Sequence, residues 1–136
     1  SKMNSEIKNV EKWEEMGSKE DILRGIYSYG FDNPSEIQQK AIMPIIERRD
    51  VIAQAQSGCG KTGSFTIGAL QVVDVTKTKP QILVLSPTHE LVKQTALVME
   101  GIGSFMNGLC VKTLIGGTSI RDDVTFLQEK KLLKID

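Results

Sequence analysis

The run Asp50-Val51-Ile52-Ala53-Gln54-Ala55-Gln56-Ser57-Gly58-Cys59-Gly60-Lys61-Thr62 decides the fold. Its first half is a short apolar stretch after the charged Glu47-Arg48-Arg49, and its second half is a glycine-rich turn. From Lys61 to about Val73 the pattern becomes helical. Strand, small-residue turn and helix, in that order, make a polyphosphate cradle. Small residues let consecutive backbone N–H groups turn inward, and the helix N-terminus adds its partial positive charge. The spacing lets Lys61 reach the β and γ phosphates and turns the Thr62 hydroxyl toward magnesium. Ala55 replaces the first glycine of the general pattern, which is tolerated where that backbone position needs no positive φ. By composition, Gly-x-Gly-Lys-Thr arises by chance in roughly one chain in 400 of this length, so an incidental turn is the weaker reading. The pattern predicts nucleotide binding by Ala55, Gln56, Ser57, Gly58, Cys59, Gly60, Lys61 and Thr62.

Outward from this loop, strands and helices alternate. Gln81 to Ser86 predicts a second buried strand and His89 to Phe105 a helix; Cys110 to Ile115 predicts a third strand, with a last helix around Ser119 to Gln128. Toward the N-terminus, Ile22, Leu23, Ile26 and Tyr27 recur at helical spacing before Gly30, and a helix from Pro34 carries Ile37, Ala41, Ile42, Ile45 and Ile46 on one face. Pro44 is expected to kink its last turn. Residues 1–12 read as a polar tail and 13–136 as one domain. Continuous apolar strands between helices predict an α/β fold, a parallel sheet with helices on both faces. Three strands and one closing helix leave such a sheet with an open edge, as in a C-terminally truncated piece of a larger domain.

Composition narrows the function. Of 136 residues 40% are apolar and 25% charged, which excludes a disordered polymer. The 17 Lys and Arg balance 17 Asp and Glu, so any grip on nucleic acid must be local rather than a global field. No apolar run is long enough to span a bilayer. Cys59 and Cys110 lack metal-ligand spacing and suit a reducing compartment, cytosolic by default or nuclear.

Beside the phosphate loop, Gly30-Phe31-Asp32-Asn33-Pro34-Ser35-Glu36-Ile37-Gln38 resembles the Q motif of the DEAD-box RNA helicases, with Trp13 where that family carries an upstream aromatic. Ala55 to Thr62 is similar to its motif I, Pro87-Thr88-His89-Glu90-Leu91 to motif Ia, and Gly116-Gly117 to its GG motif. The order is the family's, and the resemblance runs from Trp13 to about Gln128. It implies a RecA-like phosphate-loop domain that binds ATP or ADP with Mg²⁺. It also implies sequence-tolerant contact with single-stranded RNA and, for a longer parent, hydrolysis-coupled unwinding in the cytoplasm. Translation-initiation scaffold proteins are the implied partners of that parent, and no membrane is implied.

The chemistry of these motifs is readable. A glutamine amide offers one donor and one acceptor to the N6 and N7 edge of adenine; Gln38 is thus the expected base reader, helped by an aromatic wall from Trp13 or Phe31, with Pro34 also among the expected nucleotide-binding residues. Thr88, the helix N-terminus behind it and Gly116-Gly117 would hold RNA phosphates without reading bases, together with Pro87 and His89. The bland readings stand beside these: Gln38 as a solvated helix residue, Trp13 and Phe31 as core, Thr88 as a helix cap, the glycine pair as a turn. His89 stands where the family has arginine, and Gly58-Cys59-Gly60 where many relatives have Gly-Thr-Gly. There is no Asp-Glu-Ala-Asp box and no Ser-Ala-Thr motif, so the groups that would hold magnesium and orient water are missing. A catalytically dead nucleotide-dependent RNA- or protein-binding module is therefore the rival reading, and a phosphate-loop kinase or transporter ATPase a more distant one.

Overall fold

The computed structural model describes residues 11–54, 60–116, 120–129 and 133–135. A single 3-10 turn over Trp13–Met16 opens the chain and ends at Gly17, whose φ of 64° is open to glycine without strain. Trp13 is fully buried, and its Nε1 donates to the Phe31 carbonyl at 3.0 Å. Helix α1 (Glu20–Tyr29) carries Glu20 and Asp21 at its positive end and stops at Gly30, whose N–H closes onto the Ile26 and Tyr27 carbonyls.

Helix α2 spans Glu36–Ile46. It begins two residues later than expected because Ser35, not Pro34, ends the extended chain. The Ser35 hydroxyl accepts the Gln38 N–H, and Gln38 answers by accepting the Ser35 N–H, which together form a capping box. Pro44 sits within α2, which runs on two residues to Ile46 before Arg48 turns left-handed at φ 61°. Helix α3 (Lys61–Val72), helix α4 (His89–Ile102) and helix α5 (Ile120–Glu129) complete the set, each close to its expected bounds.

The strands do not follow the expectation of a parallel sheet with helices on both faces. Residues 51–54 form no ladder, and Ile52 is 97% exposed. The 81–86 run contributes only β1 (Leu83–Val84), and the 110–115 run only β2 (Val111–Thr113); β3 (Leu133–Ile135) lies in a segment where no strand was expected. Short parallel pairings join them in the order β1-β3-β2, with Leu83 opposite Lys134 and Lys112 opposite that same residue. The domain is mostly helical.

The physical reason lies in what fills the core. Its buried members include Trp13, Ile22, Ile26, Ile42, Ile67, Leu70, Val92, Met99 and Ile102, and among the residues whose burial is described none of the cluster belongs to β1 or β2. Helix packing supplies the burial that a continuous sheet was expected to supply, while Leu83 and Leu85 stay 58% and 74% exposed. A strand holds its shape through its neighbours' hydrogen bonds and side chains, and residues 51–54 have no such neighbour among the described residues. Helices α1 and α4 approach so closely at Gly25 that a Cβ there would fall 1.7 Å from the Ile102 carbonyl oxygen.

Candidate functional site

Gly60 caps the N-terminus of α3 with φ 88°, a conformation that glycine adopts without penalty. A side chain would also lack room: a Cβ at Gly60 would lie 2.6 Å from Gln38 Nε2 and 3.2 Å from Ser35 Oγ. Lys61 is exposed and Thr62 half-buried in the first turn of α3. Both face a cavity of about 810 Å³ that Asp50, Val51, Phe65 and Leu83 also line. Residues Ala55, Gln56, Ser57, Gly58 and Cys59 lie outside the described residues, so of the expected cradle only Gly60, Lys61 and Thr62 are described.

Gln38 is 2% exposed, and its amide is occupied within the protein. Its Oε1 accepts the Ser35 N–H at 2.9 Å, while Nε2 donates to the Gly60 carbonyl at 3.4 Å. The residue thus joins the cap of α2 to the start of α3. Phe31 is half-buried beside it: a methyl at Gly63 would sit 2.9 Å from Gln38 Nε2 and 3.3 Å from Phe31 Cζ. The Phe31 ring also packs against Trp13 and Tyr29, with centroids 6.3 and 5.3 Å apart. Trp13 supports Phe31 from within the core and offers no free ring face. Pro34 is buried, and its carbonyl accepts from Gln39 Nε2.

The second group of expected residues lies at the N-terminus of α4. Pro87, Thr88 and His89 are all exposed. The Thr88 hydroxyl accepts the Leu91 N–H at 3.1 Å, so Thr88 is the helix cap. A Cβ at Gly116 would lie 3.6 Å from His89 Nε2, which places the turn after β2 against the start of α4. Gly117 lies outside the described residues.

Ser35, Ser64 and Asp50 were given no role in the reading of the sequence. Ser35 and Gln38 form a Ser-x-x-Gln capping box, a signal present in the sequence itself. Ser64, 3% exposed, donates its hydroxyl to the Gly60 carbonyl, and Asp50 lines the same cavity as Lys61 and Thr62; neither has a sequence pattern that marks it. Cys110 is a free thiol whose pKa is pushed up by burial and then by the nearby Glu100 carboxylate. Among the described residues no three His, Cys, Asp or Glu side chains cluster as metal ligands. The donor set suits a cation carried in by phosphate oxygens, with the Thr62 hydroxyl as the protein's share.

A left-handed glycine opening a helix with Lys-Thr, tied through a buried glutamine to the preceding helix, is the arrangement expected at the exit of a phosphate loop. The DEAD/DEAH box helicase family model matches residues 35–135, and the chain belongs to that family. It is 53% identical over 120 residues to the ATP-dependent RNA helicase eIF4A of Pyricularia oryzae, covering 88% of this chain and 30% of the relative. To the eukaryotic initiation factor 4A of Dictyostelium discoideum it is 51% identical over 125 residues, 92% of this chain and 31% of the relative. It is also 52% identical to the ATP-dependent RNA helicase FAL1 of Mycosarcoma maydis over 118 residues, 87% of this chain and 30% of that relative. Among solved structures, a DEAD box protein from the hyperthermophile Methanococcus jannaschii superposes with a TM-score of 0.84 at 27% identity, over 93% of this chain and 34% of that one. S. cerevisiae Dbp5 bound to RNA and ADP BeF3 gives 0.75 at 28% identity, over 93% and 32%. The chain thus spans about a third of the length of the relatives it matches, and it corresponds to their N-terminal RecA-like domain.

Proposed function

We propose that this domain holds the phosphates of ATP or ADP, with Mg²⁺, through Lys61, Thr62 and the loop from Ala55 to Gly60. In this reading Phe31 walls the base, and Gln38 reads it by exchanging its internal bonds for adenine. Pro87, Thr88, His89, Gly116 and Gly117 hold the backbone of single-stranded RNA. Within a longer helicase the site would couple ATP hydrolysis to duplex unwinding, in the cytoplasm and beside translation-initiation scaffold proteins. When bound, Mg²⁺ would neutralise phosphate charge, the Thr62 hydroxyl turning toward it.

The observation that carries the reading is the left-handed Gly60 placing Lys61 and Thr62 at the start of α3, with Gln38 reaching back to the same glycine. A second reading is a module that binds nucleotide and RNA without turnover. Calorimetry with magnesium–ADP tests the core of both. Binding is expected, and Lys61→Ala is expected to abolish it; equal affinity in that variant removes the assignment.

A further inference from the structure

The structure assigns to Ser64 a positioning role in phosphate binding: its buried hydroxyl fixes the Gly60–Lys61 peptide unit and with it the direction of the Lys61 N–H at the start of α3. This rests on the nucleotide reading above and adds to it a residue outside the loop.

Three donors converge on the Gly60 carbonyl. The Ser64 N–H makes the ordinary first-turn helical bond at 2.9 Å, the Ser64 hydroxyl adds a second at 2.9 Å, and Gln38 Nε2 stands at 3.4 Å. A carbonyl oxygen has two lone pairs, so the two Ser64 bonds fill them and the glutamine contact is the weakest of the three. In a planar trans peptide the C=O and the following N–H point in opposite directions. Holding the Gly60 oxygen inward therefore holds the Lys61 N–H outward, at the helix N-terminus where a phosphate oxygen would sit.

The clamp matters at this position more than in an ordinary first turn. Gly60 has φ 88° and no side chain, so its own torsions resist rotation of the 60–61 peptide least of any residue type. The Ser64 side chain is only 3% exposed although it borders the cavity lined by Lys61 and Thr62, so water has little access to its bond with Gly60. A hydroxyl in a helix interior commonly bonds the carbonyl four residues back, at a slight cost to the helix. Here that carbonyl belongs to the cap residue of the phosphate loop.

The test compares Ser64→Ala, Ser64→Thr and Lys61→Ala in the full chain, titrated with magnesium–ADP and with magnesium–pyrophosphate. Pyrophosphate lacks the base, so it reports the cradle alone. Ser64→Ala is expected to weaken both ligands about five- to tenfold, the loss of one buried hydrogen bond, and Ser64→Thr, which keeps the hydroxyl, to restore wild-type affinity. Unchanged pyrophosphate affinity in Ser64→Ala, with binding lost in Lys61→Ala, overturns the inference while leaving the nucleotide reading intact. Binding retained in Lys61→Ala removes the reading itself. A failure of Ser64→Thr to recover affinity points to packing and also overturns the inference. Should Ser64→Ala not fold, Ser64→Cys replaces it: its weak S–H donor is expected to lower pyrophosphate affinity, and wild-type affinity there overturns the proposal.

Discussion

At Gln38 the amide carries two bonds that a free base reader would not have. One closes the capping box on Ser35, and the other reaches the Gly60 carbonyl. Reading adenine would mean giving up one or both, so base binding and the order of the α2 N-terminus draw on the same side chain. Gln38→Ala should therefore do more than lose base preference. It removes a cap and vacates buried space beside Gly60, and it should cost about 1–2 kcal/mol of stability without any nucleotide. Urea denaturation of the nucleotide-free chain checks this; a loss seen only when adenine nucleotide is present would mean that Gln38 acts solely on the ligand. The place of Lys61 and Thr62 at the start of a helix was legible because the motif that sets it is local. Trp13 was ambiguous for the converse reason: whether an aromatic ring walls a ligand or fills a core depends on contacts 18 residues away, here the Phe31 carbonyl.

The helices were legible because helical periodicity is a local property, each apolar face being written within one short segment. Their packing was not legible, and Gly25 shows why. In the sequence it is a glycine inside a helical pattern, and in the structure it is the point where α1 meets the end of α4. A methyl at that position meets backbone, the Ile102 carbonyl, rather than the tip of a flexible side chain, so relief requires moving a helix. Gly25→Ala should destabilise the domain by about 1–3 kcal/mol despite the better helix propensity of alanine. Thermal and urea unfolding would show it. Unchanged or higher stability would mean that α1 and α4 are not held together at this distance. The surface contact of Arg24 over the Phe105 ring, 4.6 Å to the centroid, lies beside this crossing and would be displaced with it.

Over the whole molecule, the strands are where sequence and structure part. An apolar run specifies that a segment can be buried, but only a neighbouring strand makes it part of a sheet. Ile82-Leu83-Val84-Leu85 met that neighbour on one side, in β3, and on the other side faces the cavity shared with Lys61 and Thr62. The consequence is an apolar surface open to solvent: Ile52, Leu83 and Leu85 are 97%, 58% and 74% exposed. No Lys, Arg, Asp or Glu lies between Pro80 and His89 to guard that edge, and the chain's zero net charge gives copies no mutual repulsion. The domain alone should therefore enhance the fluorescence of an apolar dye such as ANS while folded, and should lose solubility as its concentration rises. Leu85→Lys places a charge at the edge without touching the buried core. It should lower the dye signal and raise solubility, with the unfolding midpoint unchanged within error. A variant that binds as much dye as the wild type would locate the open apolar surface elsewhere on the molecule.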